Sequence, residues 1–106
     1  DAEWTVLTDY LTANGHSGAE GNALKATSGW NNGGNGTDDF GFSVLPGGYR
    51  DIDGDFYSIG SSGHWWSSSQ YDAVNVWDRY LVSFDDPVAR FYSDKIYGFS
   101  VRCLRD

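Results

Sequence analysis

The chain has 106 residues, 40% of them hydrophobic and 17% aromatic, which is enough for one domain with a core and too little for two. Fifteen acids against seven bases leave a net charge of −8, the opposite of the sign a phosphate-binding surface wants, which makes nucleic acid and anionic membranes poor partners. One cysteine and two histidines exclude an internal disulfide, a multi-cysteine zinc centre and a His-rich metal site, and no apolar run is long enough for a transmembrane helix.

Asp1 to Ala13 reads as a helix. Trp4, Leu7 and Leu11 recur at helical spacing, Asp1 and Glu3 sit where the N-terminal dipole favours acids, and Asn14-Gly15 is a stop signal. A second short helix is expected within Gly18 to Thr27, weakened by its two glycines. Ser28 to Gly63 reads mostly as loop, because Asn31-Asn32-Gly33-Gly34-Asn35-Gly36 favours turns. Its scattered aromatics, Trp30, Phe40, Phe42, Tyr49, Phe56 and Tyr57, point to a loop tied onto the core.

From His64 onward the pattern turns to strands. Trp65 to Ser69 is a β-prone run. Trp77 to Phe84 alternates, with Trp77, Arg79, Leu81 and Ser83 on one face and Asp78, Tyr80, Val82 and Phe84 on the other. Asp85-Asp86-Pro87 is a turn signal, so Val88 to Tyr92 is expected to return as a hairpin partner. Tyr97 to Leu104 reads as a closing strand with Phe99, Val101 and a buried, inert Cys103 on one face. Helices, loop, then strands make the class α+β.

Few constellations point to chemistry. Asp51, Asp53 and Asp55 alternate in a Gly-containing loop and could offer oxygen ligands to calcium. An EF-hand would need Gly at its sixth place and an acid at its twelfth, where this chain has Phe56 and Ser62; the plain alternative is a solvated acidic turn. Ser67, Ser68 and Ser69 lie near His64 without a Gly-x-Ser-x-Gly elbow or a third triad partner, so no catalysis is expected.

The richer feature is the mixture of aromatic and polar residues from 71 to 97. One strand face cannot comfortably bury both Asp78 and Phe84. If Trp77 and Leu81 take the core side, Tyr80, Val82 and Phe84 face water and mark an interaction surface. The reverse orientation, with Tyr80, Val82 and Phe84 inside, satisfies the alternation equally well.

Several segments look familiar. Asp1-Ala2-Glu3-Trp4 resembles the helix-opening end of the LPTxAEW motif of C-type-lectin-like domains of the formylglycine-generating-enzyme type. With Leu24-Lys25-Ala26-Thr27-Ser28-Gly29-Trp30, Gly41 to Arg50, Trp65-Trp66-Ser67-Ser68 and Gly98 to Cys103, the whole chain resembles the Fibrobacter succinogenes major paralogous domain family of bacterial surface and secreted proteins. The resemblance implies a C-type-lectin-like fold with two helices, a long loop region and a small antiparallel sheet, and an extracellular or surface-displayed location. It also implies one domain over residues 1–106 that starts after the N-terminal strand segment carried by family members. The enzymatic relatives bind copper through a cysteine pair, and this chain has only Cys103, so that activity is not implied.

The C-terminal part also resembles the variable region of target proteins of diversity-generating retroelements, in which mutated adenines turn asparagine codons into a restricted residue set. Tyr71, Asp72, Val74, Asn75, Asp78, Tyr80, Val82, Phe84, Asp85, Asp86, Phe91, Tyr92, Asp94, Ile96 and Tyr97 all fall within that set, while Trp77, Arg79, Leu81, Val88, Arg90 and Lys95 look like fixed scaffold. These fifteen are the expected ligand-binding residues. A randomised face must tolerate many side chains, which favours the orientation with Tyr80, Val82 and Phe84 exposed. The expectation is a non-enzymatic binding module for a protein or cell-surface ligand, without a cofactor. The alternative is a calcium-dependent carbohydrate binder using Asp51, Asp53 and Asp55.

Overall fold

The computed structural model describes residues 1–104. The described residues form helix α1 (Ala2–Leu11), which runs on through a wider turn at Thr12–His16, and helix α2 (Glu20–Leu24). Strands β1 (Tyr49–Arg50) and β2 (Phe56–Tyr57) pair with each other, and β3 (Ser62–Gln70), β4 (Asn75–Val82) and β5 (Ala89–Asp94) form a second antiparallel sheet in that order. The fold is therefore α+β, with two helices, a long loop region and small antiparallel sheets. No described helix is long and apolar enough to cross a membrane.

α1 buries the stripe the sequence specifies: Leu11 is fully buried, and Trp4 and Leu7 pack against the same core. The Asp1 carboxylate ahead of the helix makes no capping bond. Instead it bridges the buried Arg79 of β4 and Arg90 of β5, the latter at 2.8 Å, so the start of α1 is anchored to the sheet. The helix ends where expected, with Gly15 at a positive φ of 92° that other residues rarely adopt.

α2 is shorter than expected. Asn22 N–H donates to the Asp86 carbonyl at 3.1 Å, and a side chain at Gly21 would collide with the Asp86–Pro87 backbone. From Lys25 the chain turns extended and lies along Val44, with Ala26 N–H donating to Val44 O at 2.9 Å. The long loop is tied inward: Trp30 is buried and its indole N–H donates to Val44 O at 3.0 Å. Within the stretch expected to be loop, β1 and β2 form a short ribbon around Asp51–Asp55.

Leu11, Ala23, Leu24, Trp30, Val44, Trp65 and Leu81 make the core, which lies on the α1 side of the larger sheet. In β4 the alternation holds, with Arg79 and Leu81 turned to that side opposite Trp65 and Gly63. Lys25 is also buried, and it replaces lost hydration by donating to the Val82 carbonyl at 2.6 Å and the Asp85 carbonyl at 2.8 Å. Burial pulls its pKa below the ordinary lysine value, and Asp86 and Asp85 partly offset this.

The expected closing strand is corrected. Residues 97–104 form no strand; the segment makes single bridges from Gly98 to Arg50 and from Ser100 to Trp65. The second runs parallel to β3, whose regular pairing breaks at an irregularity between Trp66 and Gln70, so no straight edge continues to guide the chain. Val101 and Cys103 are consequently exposed, against the expectation of a buried thiol.

Candidate functional site

The sheet face away from the core is the candidate site. On it, β3 contributes His64 and Trp66, and β4 contributes Tyr80 and Asp78 directly opposite them. Phe91 of β5 lies across from Asp78 on its other side. The bridges of residues 98–100 to Arg50 and Trp65 lay the C-terminal segment over one flank, so Phe99 reaches His64 (ring centroids 5.0 Å) and Trp66 (4.2 Å). Tyr49 of β1 closes in edge-on against His64 at 5.0 Å, and the Tyr80 ring stacks on His64 at 5.4 Å. The result is a concavity of about 360 Å³ walled mainly by rings.

Asp78 lies at its base, 1% exposed, and among the described residues neither carboxylate oxygen has a hydrogen-bond partner. Burial raises its pKa above the ordinary carboxylate value; Ser93 and Arg79 temper that shift, although the Ser93 hydroxyl makes no hydrogen bond of good geometry to it. Burial acts in the opposite sense on the His64 imidazole, lowering its pKa to about 4, so the ring is neutral at neutral pH. Its Nε2 lies 3.1 Å from the Ser62 hydroxyl, not against Ser67, Ser68 or Ser69.

The fifteen residues expected to bind ligand do not form one patch. Asn75, Asp78, Tyr80, Phe91, Tyr92, Asp94 and Tyr97 line the concavity. Asp78 is corrected from a surface contact to a buried base, because the rings of Trp66, Phe91 and Phe99 cover the face that alternation alone leaves open. Tyr71 and Tyr92 stack at 3.9 Å and meet the Trp77 ring edge-on, with Arg90 lying 3.5 Å over Trp77. Trp77 thus belongs to this half-exposed aromatic cluster rather than to the core.

Asp72 closes the β3–β4 turn by accepting from the Val74 and Asn75 amides, both at 2.8 Å, beside an exposed Val74. Asp94 accepts likewise from the Ile96 amide, and Ile96 itself is exposed. Val82 is half-buried, and Phe84, Asp85 and Asp86 lie at the opposite end of β4, where Phe84 is 84% exposed. Tyr49, His64 and Phe99 were not expected in the site; they come from three distant segments and share no local signal.

A model of the Fibrobacter succinogenes major domain matches residues 1–105. The chain belongs to this family. Comparison with curated proteins and with solved structures gives no match. In this Fibrobacter domain the motif segments have clear structural roles: Trp65 and Trp30 fill the core, while Tyr49 and Phe99 wall the concavity.

Two of the three acids expected to offer oxygen ligands to calcium are engaged within their own turn. Asp51 Oδ1 accepts from the Ile52 amide; Asp53 accepts from the Asp55 amide at 2.9 Å and from the Tyr57 hydroxyl at 2.9 Å. These bonds, that from Asp55 foremost, hold the Asp53 carboxyl below its ordinary pKa. The carboxylates cap the β1–β2 turn, and among the described residues no group of three or more acidic, His or Cys side chains is placed to hold a metal ion.

Proposed function

We propose that this Fibrobacter domain is a non-enzymatic ligand-binding module on a C-type-lectin-like scaffold, displayed outside the cell and directed at a protein or cell-surface ligand. The observation that carries the reading is the ring-walled concavity on the outer sheet face, bordered by residues of the β4–β5 hairpin and open to solvent. Rigid aromatic walls beside polar groups are the composition of recognition surfaces. His64 faces Ser62 and aromatic rings, not an activated nucleophile, which favours binding over catalysis.

The reading includes diversification of residues 71–97 by a retroelement. It is supported by the side chains at the fifteen positions named above, all within the set reachable from mutated asparagine codons, and by the exposure of Tyr71, Val74, Phe84, Phe91 and Ile96. Sequencing the gene, its flanks and many copies from the source population tests it. A near-repeat of codons 64–103 with adenines at these positions, beside a reverse transcriptase gene, is the expected result. Invariant copies without a template repeat would overturn diversification.

A further inference from the structure

We propose that the concavity binds an organic cation bearing several N–H donors, of the kind that ends a lysine or arginine side chain, with Asp78 as counter-ion and the rings of Tyr49, His64, Tyr80 and Phe99 as walls. This rests on reading the outer sheet face as a binding surface, and it names the chemistry that surface selects.

Asp78 is buried at the base of the concavity. A carboxylate buried without a hydrogen bond is among the most unfavourable arrangements in a folded chain, and both of its oxygens are left in that state here. Hydrophobic residues would fill the same place more stably. A guest cation with more than one N–H supplies the missing donors and the opposite charge together. The walls fit the same guest, because the negative faces of aromatic rings attract ammonium and guanidinium groups. Among the described residues no lysine or arginine lines the concavity, whereas Asp94 adds a second carboxylate at its edge. His64, itself one of the walls, is neutral at neutral pH and does not repel a cation. The chain's net charge of −8 draws cations in the same direction. A metal ion is disfavoured, since the described residues place no set of three ligands together.

The test is an NMR titration of the intact protein with n-butylammonium, n-butylguanidinium, tetramethylammonium and n-butanol. The expected result is saturable millimolar binding of the first or second, shifting the His64 and Tyr80 ring signals, and roughly tenfold weaker binding of butanol. Tetramethylammonium, which offers charge without N–H donors, is expected to bind more weakly than butylammonium. Comparing the two N–H cations decides between a lysine-like and an arginine-like guest. Asp78→Asn should lose roughly tenfold in affinity for the cation and leave butanol unchanged. Equal binding of cations and butanol, no binding of either cation, or full retention by Asp78→Asn would overturn the inference. The comparison on the unaltered protein decides the matter even if that variant does not fold.

Selection against a phage-displayed random peptide library separates this inference from the broader reading. Enriched peptides carrying lysine or arginine that are displaced by butylammonium or butylguanidinium support both. Peptides lacking both residues, whose binding is lost in Phe91→Ala but kept in Asp78→Asn, preserve the binding surface and overturn the cation site. Saturable butylammonium binding without any enriched peptide keeps the cation site and counts against a protein ligand.

Discussion

At the residue scale, two buried polar side chains and one half-buried carry opposite consequences. Lys25 satisfies two carbonyls that would otherwise be orphaned at the end of β4. Lys25→Met keeps most of the volume but removes both donors, and it should lower unfolding free energy by about 2–3 kcal/mol in chemical denaturation. Asp78 works the other way. Its raised pKa means that the folded chain holds the proton more tightly than the unfolded chain, so stability falls as pH rises through the window above ~3.9 and the loss persists at neutral pH. Asp78→Asn should therefore raise the neutral-pH stability, by about 1 kcal/mol, and flatten that part of the pH profile. His64 contributes the reverse slope: its folded value near 4 lies below the unfolded ~6.5, so stability is lost as pH falls between them. An imidazole proton titration by NMR should show a midpoint close to 4, and a value near 6.5 would show the ring to be solvated.

At the scale of elements, β4 separates a load-carrying face from an open end. Leu81, fully buried under α1 and α2, should cost about 3 kcal/mol on truncation to alanine, whereas Phe84→Ala, beyond the strand end, should stay within about 0.5 kcal/mol. Equilibrium unfolding of the two variants side by side checks the contrast. The β1–β2 turn offers a sharper negative expectation. Because Asp51 and Asp53 already accept bonds within their own turn, adding millimolar calcium or a chelator should leave the melting temperature unchanged.

These elements also show where sequence reasoning reached and where it stopped. The stripe of Trp4, Leu7 and Leu11 and the alternation through Arg79 and Leu81 are local periodicities, and the structure follows them. Part of the cover over Asp78 is Phe99, which is remote in sequence and arrives through two single bridges to pack on Trp66. No periodicity within β4 encodes that cover. The alternation of Phe99, Val101 and Cys103 resembled a strand because pattern alone does not register whether an edge is available to pair with.

At the scale of the whole molecule, the chain's only two lysines hold the two loops at opposite ends of β4, and both do so through main-chain carbonyls. Lys25 grips Val82 and Asp85, while Lys95 grips Ala73 through its ammonium at 3.1 Å and Val74 through its own amide at 3.0 Å. The Asp86 carbonyl is fixed to the Asn22 amide in the same way. Main-chain acceptors are present whatever the residue, so the bonds that Lys25 and Asn22 make to the 82–86 turn do not depend on the identity of its side chains. A library randomised at Phe84, Asp85 and Asp86 should keep most clones folded by thermal melting, while one randomised at Lys25 should not. The fold thus writes the shape of that loop in a script common to all amino acids and leaves its chemical vocabulary free to be rewritten.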